Sequence, residues 1–283
     1  MVFAAVCFAF ASLTVKFASE FATASQALAF RGAVAFVCIA LWCAALRQPL
    51  ATQHPKLHLS RSLSGVSSLA LFTYAVMALP LATGVTLNYT SPVWLALLTV
   101  VIALIHGKKL PSTAMLACIA ASMVGVGLLL KPIFAAGQGF DAAMGLLSGI
   151  LSAVAYWQIK SLGATGEPTT RIVFYHSLTA VVVGALWWAL TPQALDMRAV
   201  PWLLANGLLA MAGQIAMTRA YSAGKTLFTS NLMYLTVVFS AFLSAAFTND
   251  AMDALSYVGV AVIVACSVAA TVLNMPKSAA QSG

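Results

Sequence analysis

Arg31 stands in an apolar stretch, in Phe30-Arg31-Gly32. A guanidinium in such surroundings is costly unless it meets a wet cavity or a partner. Its planar fork of donors suits a carboxylate or phosphate; the alternative is a side chain that snorkels to the nearest interface. His176 occurs in Phe174-Tyr175-His176, the counterpart of Phe30-Arg31-Gly32 in the second half of the chain. Its near-neutral pKa suits a proton relay, and the alternative is a neutral imidazole bonded to a neighbouring helix. Asn88, Tyr89, Thr90 and Ser91 precede Pro92. Pro92 removes an amide donor and loosens the helix, so it reads as a hinge whose freed carbonyls and polar neighbours line a cavity. Ser230, Asn231 and Tyr234 repeat that pattern later in the chain, with Ser230 and Tyr234 on one helix face. Ordinary interhelical hydrogen bonding is the competing account of both clusters. Gln214 and Asn206 are further hydrogen-bonding candidates, with packing the better reading for Asn206. Tyr74, Trp94 and Tyr175 are rings suited to stacking on a cyclic or cationic solute.

These residues need elements to carry them, and composition says which kind. The 283 residues are 62% hydrophobic and 7% charged, with a mean hydropathy of +0.97. Soluble domains carry about 25% charged residues. The supply here is too small for a water-facing surface, so the apolar runs face lipid. The net charge of +8 does not mark a nucleic-acid binder, because the basic residues sit singly or in pairs between apolar runs. The five cysteines, Cys7, Cys38, Cys43, Cys118 and Cys266, lie inside those runs without a CxxC pair. They read as small apolar filler, not as disulfides or metal ligands. Met1 leads straight into apolar residues with no basic segment before them, as a first membrane helix does.

Runs long enough to span a bilayer occur at 2–17, 25–46, 63–81, 83–105, 111–130, 142–161, 168–190, 201–221, 226–248 and 254–273. The fold class is therefore an all-α integral membrane protein with ten transmembrane helices. Arg31 falls about six residues into the second, roughly 9 Å from its outer end at 1.5 Å per residue. With the N-terminus inside, the cytoplasmic connections carry Arg47, Lys56, Arg61, Lys108, Lys109, Lys160, Arg171, Arg219, Lys225 and Lys277, while Lys16, Lys131 and Arg198 fall outside. That asymmetry places both termini in the cytoplasm. Of the acids, Glu167 alone falls on the inner side.

The halves repeat. Phe30 and Trp42 match Phe174 and Trp187, and Tyr89 through Leu98 matches Tyr234 through Leu243, at offsets of 144 and 145, near half the chain length. Five helices per repeat is odd, so the second half inserts upside down, the plan of many secondary transporters with a solute site near the midplane. The units are 1–137 and 138–283.

Several segments carry a resemblance as well. Phe30-Arg31-Gly32, Leu79-Pro80-Leu81-Ala82-Thr83 running into Asn88-Tyr89-Thr90-Ser91-Pro92, and Thr218-Arg219-Ala220-Tyr221 followed by Gly224-Lys225-Thr226 resemble motifs of the EamA-type carriers in the drug/metabolite transporter superfamily. The likeness covers essentially the whole chain as two five-helix units. It implies alternating access around a central cavity, small organic metabolites such as amino acids or their derivatives as solutes, and export more often than uptake. One departure is visible. Where the family often ends the fourth helix of each unit with a Gly-Glu-type pair, this chain reads His106-Gly107-Lys108-Lys109 and Asn249-Asp250-Ala251-Met252, and Asp250 is the partial substitute.

Several chemistries are missing from the sequence. There is no GxxxxGK[ST] loop for ATP, no HExxH, no His/Cys cluster and no GxSxG elbow, so neither cofactor nor metal is expected and an enzyme is disfavoured. The expected substrate contacts are Arg31, Asn88, Tyr89, Ser91, Trp94, Tyr175, His176, Gln214, Ser230, Asn231 and Tyr234. The expected partners are a small-molecule solute and the lipid bilayer of a bacterial inner membrane. A lipid flippase, with a cavity open sideways to the headgroups, is the rival function. Gly145-Leu146-Leu147-Ser148-Gly149 is a GxxxG that permits close helix packing, within one chain or between two copies, and leaves monomer and homodimer open.

Overall fold

Long apolar runs that cannot rely on water must satisfy their backbone groups internally, and the helix does this within one segment. The computed structural model describes residues 1–107, 113–135, 137–223, 229, 232–248 and 253–273, and among these there are helices and no strand. The helices are α1 (Val2–Ala18), α2 (Ala24–Ala45), α3 (Pro55–Ala78), α4 (Leu81–Asn88), α5 (Ser91–Ile105), α6 (Thr113–Ala135), α7 (Gly139–Ala164), α8 (Thr169–Leu190), α9 (Val200–Ser222), α10 (Tyr234–Phe247) and α11 (Ala254–Leu273). Among the described residues, five segments are long and apolar enough to cross a bilayer: α2, α4 and α5 taken together, α7, α8, and α9 with the short turn before it. α1, α10 and the first part of α11 are shorter apolar helices. Outward faces carry Leu41, Leu104, Leu186 and Phe242, side chains that belong against lipid. The chain is a multi-pass membrane protein.

Local signals explain the ends. Thr23 and Gln26 form a capping box at the start of α2, and the Gln26 amide also donates to the Gln193 carbonyl at 3.1 Å, tying α2 to the loop before α9. Proline at the start of α3 loses nothing, since the first N–H groups of a helix are unpaired anyway. That moves the start of this helix from the expected 63 to Pro55. It also corrects one charge assignment: Arg61 is not in a cytoplasmic connection but lies in the second turn of α3, 2% exposed.

The expected fourth span is broken in two. Pro92 has no N–H to give the Asn88 carbonyl. Tyr89 and Thr90 form the turn between α4 and α5, with the Thr90 hydroxyl donating to the Leu87 carbonyl at 2.7 Å. α7 covers this break. A Cβ at Gly149 would lie 2.8 Å from the Leu87 carbonyl oxygen and 3.0 Å from that of Asn88. The GxxxG stripe of α7 is thus spent on a contact inside the chain.

The helices pair widely separated parts of the chain. α1 packs on α9, α3 on α7, α2 on α8, and α6 on α11. α2 also meets α9, and α3 meets α8; α4 and α5 lie against α7, and α10 lies against α1 and α4. Gly32 and Gly184 let α2 and α8 cross closely: a Cβ on Gly32 would sit 2.6 Å from the Val181 nitrogen, and one on Gly184 the same distance from that of Ala29.

Candidate functional site

The crossing helices enclose a polar cavity of about 60 Å³. Its wall is Phe8 and Ser12 from α1, Arg31 from α2, Arg61, Gly65, Ser68, Leu69 and Phe72 from α3, Asn88 and Tyr89 from the helix break, Ser152, Ala155 and Tyr156 from α7, His176 from α8, and Gln214 and Met217 from α9. A smaller recess of about 20 Å³, bounded by Gly32, Ala35, Ser177 and Ala180, shares Arg31, Leu69, His176 and Gln214 with it. Small-molecule sites usually measure a few hundred Å³, so the space in this arrangement is smaller than such a site.

One side of the cavity is cationic. The Arg61 guanidinium donates through Nη1 to His176 Nδ1 at 2.7 Å. Arginine has donors only, so the imidazole presents a lone pair at Nδ1 and is neutral in this arrangement. Gly65 makes room for this bond: a Cβ there would run into Arg61 Nη1 and stand 3.3 Å from His176 Cε1. Arg61 Nε is buried with no hydrogen-bond partner among the described residues. Arg31 is half-buried, and its guanidinium carbon lies 6.0 Å from the centre of the Phe8 ring.

The other side is neutral and tightly knit. The Asn88 amide donates to Ser148 Oγ at 2.9 Å and to Ser152 Oγ at 3.2 Å. Ser68 donates to the Ser148 carbonyl at 2.7 Å, and its hydroxyl also lies 2.7 Å from Ser152 Oγ. These bonds hold α3 and α7 to the end of α4, where Pro92 has loosened the chain.

Five of the expected contacts, Arg31, Asn88, Tyr89, His176 and Gln214, therefore meet in one cavity. Four do not line it. Ser91 is buried at the start of α5. Trp94 turns its indole N–H to Thr90 Oγ1 at 3.0 Å. Tyr234 is buried in the hydrophobic core at the start of α10. Tyr175 lies one helical step from His176 but donates to the Leu50 carbonyl at 3.0 Å. Ser230 and Asn231 lie outside the described residues. Asn206 donates to the Ala11 carbonyl at 2.8 Å and joins α9 to α1. Arg61, Ser68, Ser152 and Tyr156 line the cavity without having been expected there. Pro55 is the signal that could have found the first two: taken as a helix start, it puts Arg61, Gly65 and Ser68 on one face of α3 at spacings of four and three.

Beyond Arg61, a second network closes the end of the bundle where the loop before α3 meets the turn before α8. Glu167 accepts from Thr52 Oγ1 at 2.6 Å and from Arg171 Nη1 at 2.7 Å, and His58 Nε2 lies 3.3 Å away. Arg171 also donates to the Pro49 carbonyl at 2.8 Å, and the rings of His58 and Tyr175 are 4.7 Å apart. Burial alone would push the Glu167 carboxyl up; the bonds from Thr52 and Arg171, with His58 close by, outweigh it and hold the group below the usual carboxylate range. A carboxyl lowered by folding stabilises fully above its unfolded value, about 4.3, and loses that contribution as pH falls through the folded value. Thermal unfolding in detergent between pH 6 and pH 3 is therefore expected to cost the wild type more than Glu167→Gln. Equal losses would mean that the network does not act through this charge.

Comparison with known proteins agrees with this architecture. No family model matches the chain. The pseudopaline exporter CntI of Pseudomonas aeruginosa strain UCBPP-PA14 is 30% identical over 267 residues, covering 94% of this chain and 92% of the relative. The CntI protein of strain PAO1 matches to the same extent. A solved chain described only as the crystal structure of a protein superposes with a TM-score of 0.65 at 16% identity, covering 96% of each chain, which supports the fold alone. At 30% identity along nearly the full length of both proteins, the chain belongs to the family of the CntI exporters, membrane transport proteins and not enzymes.

Proposed function

We propose that this chain is a secondary transporter that exports a small organic metabolite, of the amino-acid or amino-acid-derivative class, across the bacterial inner membrane by alternating access. The observation that carries the reading is the polar cavity at the junction of the halves, lined from α1 to α4 on one side and from α7 to α9 on the other. The relatives' role as pseudopaline exporters supports export as the direction.

The helix pairing favours two inverted five-helix units, 1–137 and 138–283, of the EamA type, with ten spans and both termini cytoplasmic. Exchanging α1 with α7, α2 with α8, α3 with α9, α4 and α5 with α10, and α6 with α11 turns the α3–α7 contact into α9–α1 and the α2–α9 contact into α8–α3. All of these contacts are present. A pseudo-twofold of this kind is the geometry that lets two halves rock around a fixed site. A cavity much smaller than a metabolite fits a state between openings.

The test is counterflow into proteoliposomes with labelled amino acids, their derivatives, nucleobases and vitamins. Saturable accumulation that unlabelled solute inside accelerates is the expected result. Failure across that panel, with movement of a labelled lipid between leaflets instead, would discard the metabolite reading in favour of a flippase.

A further inference from the structure

The cavity holds two guanidinium groups, Arg31 and Arg61, and no carboxylate among its lining residues. Arg31 makes no hydrogen bond or ion pair among the described residues, and its guanidinium carbon stands 6.0 Å from the centre of the Phe8 ring. Among the described residues Arg61 spends one donor on a neutral imidazole and keeps a buried Nε unpaired. Each guanidinium has five N–H donors, so most of the donor capacity at this site is unused. Glu167, the acid of the adjoining network, is committed to Thr52, Arg171 and His58. The remaining polar lining, Ser68, Asn88, Ser152 and Gln214 among it, is uncharged.

Two like charges held in a cavity of low dielectric are unfavourable until an anion joins them. A neutral solute would leave both unopposed when the halves close over it, and a cation would add a third positive charge. Resting on the reading of this cavity as the transport site, we propose that the solute is a polyanion with at least two carboxylate-type or phosphate-type groups, one engaging Arg31 and the other Arg61. Bidentate pairing of a guanidinium with each acidic group gives the fixed geometry that a point charge would not. Arg61 need not release His176 to do this, because its remaining donors are free. The Ser68–Asn88–Ser152 cluster meets hydroxyl or amide groups of the solute, and Phe8, Leu69 and Met217 meet its carbon skeleton.

The experiment uses the full chain in living cells. Medium from cells expressing the wild type, Arg31→Gln, Arg61→Gln, Arg61→Lys or an empty vector is resolved by anion exchange and mass spectrometry, which also separates carboxylates from phosphates. The expected result is tenfold or greater enrichment of compounds bearing two or more acidic groups. That enrichment falls to within twofold of the empty vector in either Gln variant and is partly kept by Arg61→Lys. Size-exclusion profiles of the purified variants show that they are folded; if one Gln variant is not, the other carries the test. Enrichment of neutral, cationic or singly acidic compounds would overturn the polyanion assignment and leave the exporter reading standing. Polyanion enrichment that survives both Gln variants would overturn the role of the two arginines. Absence of any enriched compound would overturn the exporter reading itself.

Discussion

Arg61→Met is expected to abolish transport while leaving the protein as stable as the wild type or more so. These two effects usually travel in opposite directions, and the reason they part here is the state of the guanidinium. In this arrangement Arg61 is buried, its Nε is unpaired among the described residues, and its hydrogen-bond acceptor is a neutral histidine. A buried charge without a counter-ion is destabilising, and an apolar side chain of similar length removes that cost. The offsetting loss is the hydrogen bond to His176, worth about 1 kcal/mol. With an acidic solute in place the balance reverses. Deleting one partner of a desolvated ionic contact costs about 2–5 kcal/mol, and every 1.4 kcal/mol is tenfold, so solute affinity should fall at least about thirtyfold. Counterflow and the unfolding midpoint in detergent, measured on one preparation, check both halves. A variant that still transports, or one whose midpoint drops by many degrees, would show that Arg61 braces the fold and leaves the solute to other residues.

Gly149→Ala is expected to destabilise the protein by about 1–3 kcal/mol, the usual cost of overpacking. In an unconstrained helix the same change gains up to about 1 kcal/mol in helix propensity, so the sign itself is diagnostic. The methyl group would meet the Leu87 and Asn88 carbonyl oxygens, and these are backbone atoms of the broken helix that cannot rotate aside. Retreat of α7 would strain the Asn88 bonds to Ser148 and Ser152 and so open the neutral wall of the cavity. Gly145→Ala is the graded comparison, because its methyl meets side-chain atoms of Leu87 rather than backbone oxygens. Gly127→Ala, with nothing within 4 Å of the new carbon, is the unobstructed control, expected to keep or raise the midpoint. Unfolding midpoints should fall in the order Gly127→Ala, Gly145→Ala, Gly149→Ala. An unchanged Gly149→Ala midpoint would mean that α7 does not clamp the break.

Parts of the site are legible in the sequence because they depend on single residues. Pro92 cannot donate a backbone bond wherever it sits, so the weak point after Asn88 follows from its identity. Arg31 inside an apolar run needs a cavity or a partner, and it has a cavity. His176 by its type suits either a relay or an imidazole bonded across helices, and the bond to Arg61 is of the second kind. Other parts need the fold. Arg61 reads as a loop cation because the polar start of α3 resembles a connection; only the helix running back to Pro55 carries its side chain to the cavity. Tyr175 and His176 are adjacent in sequence, and an α-helix turns 100° between them. One faces the Leu50 loop and the other faces Arg61.

The amino-acid sequence by itself determined that this is a helical membrane protein, that it interrupts its apolar spans with a few polar groups, and where one span must break. These follow from composition, from the length of apolar runs and from the covalent nature of proline, which are local properties. Tertiary structure alone decided that two arginines, not one, share the cavity, that the α7 glycines clamp a helix break within the chain, and that Glu167 belongs to a closing network apart from the cavity. Each depends on how far a helix is rotated and which distant helix it meets. Packing between segments far apart in the chain sets those quantities, and no run of neighbouring side chains encodes them.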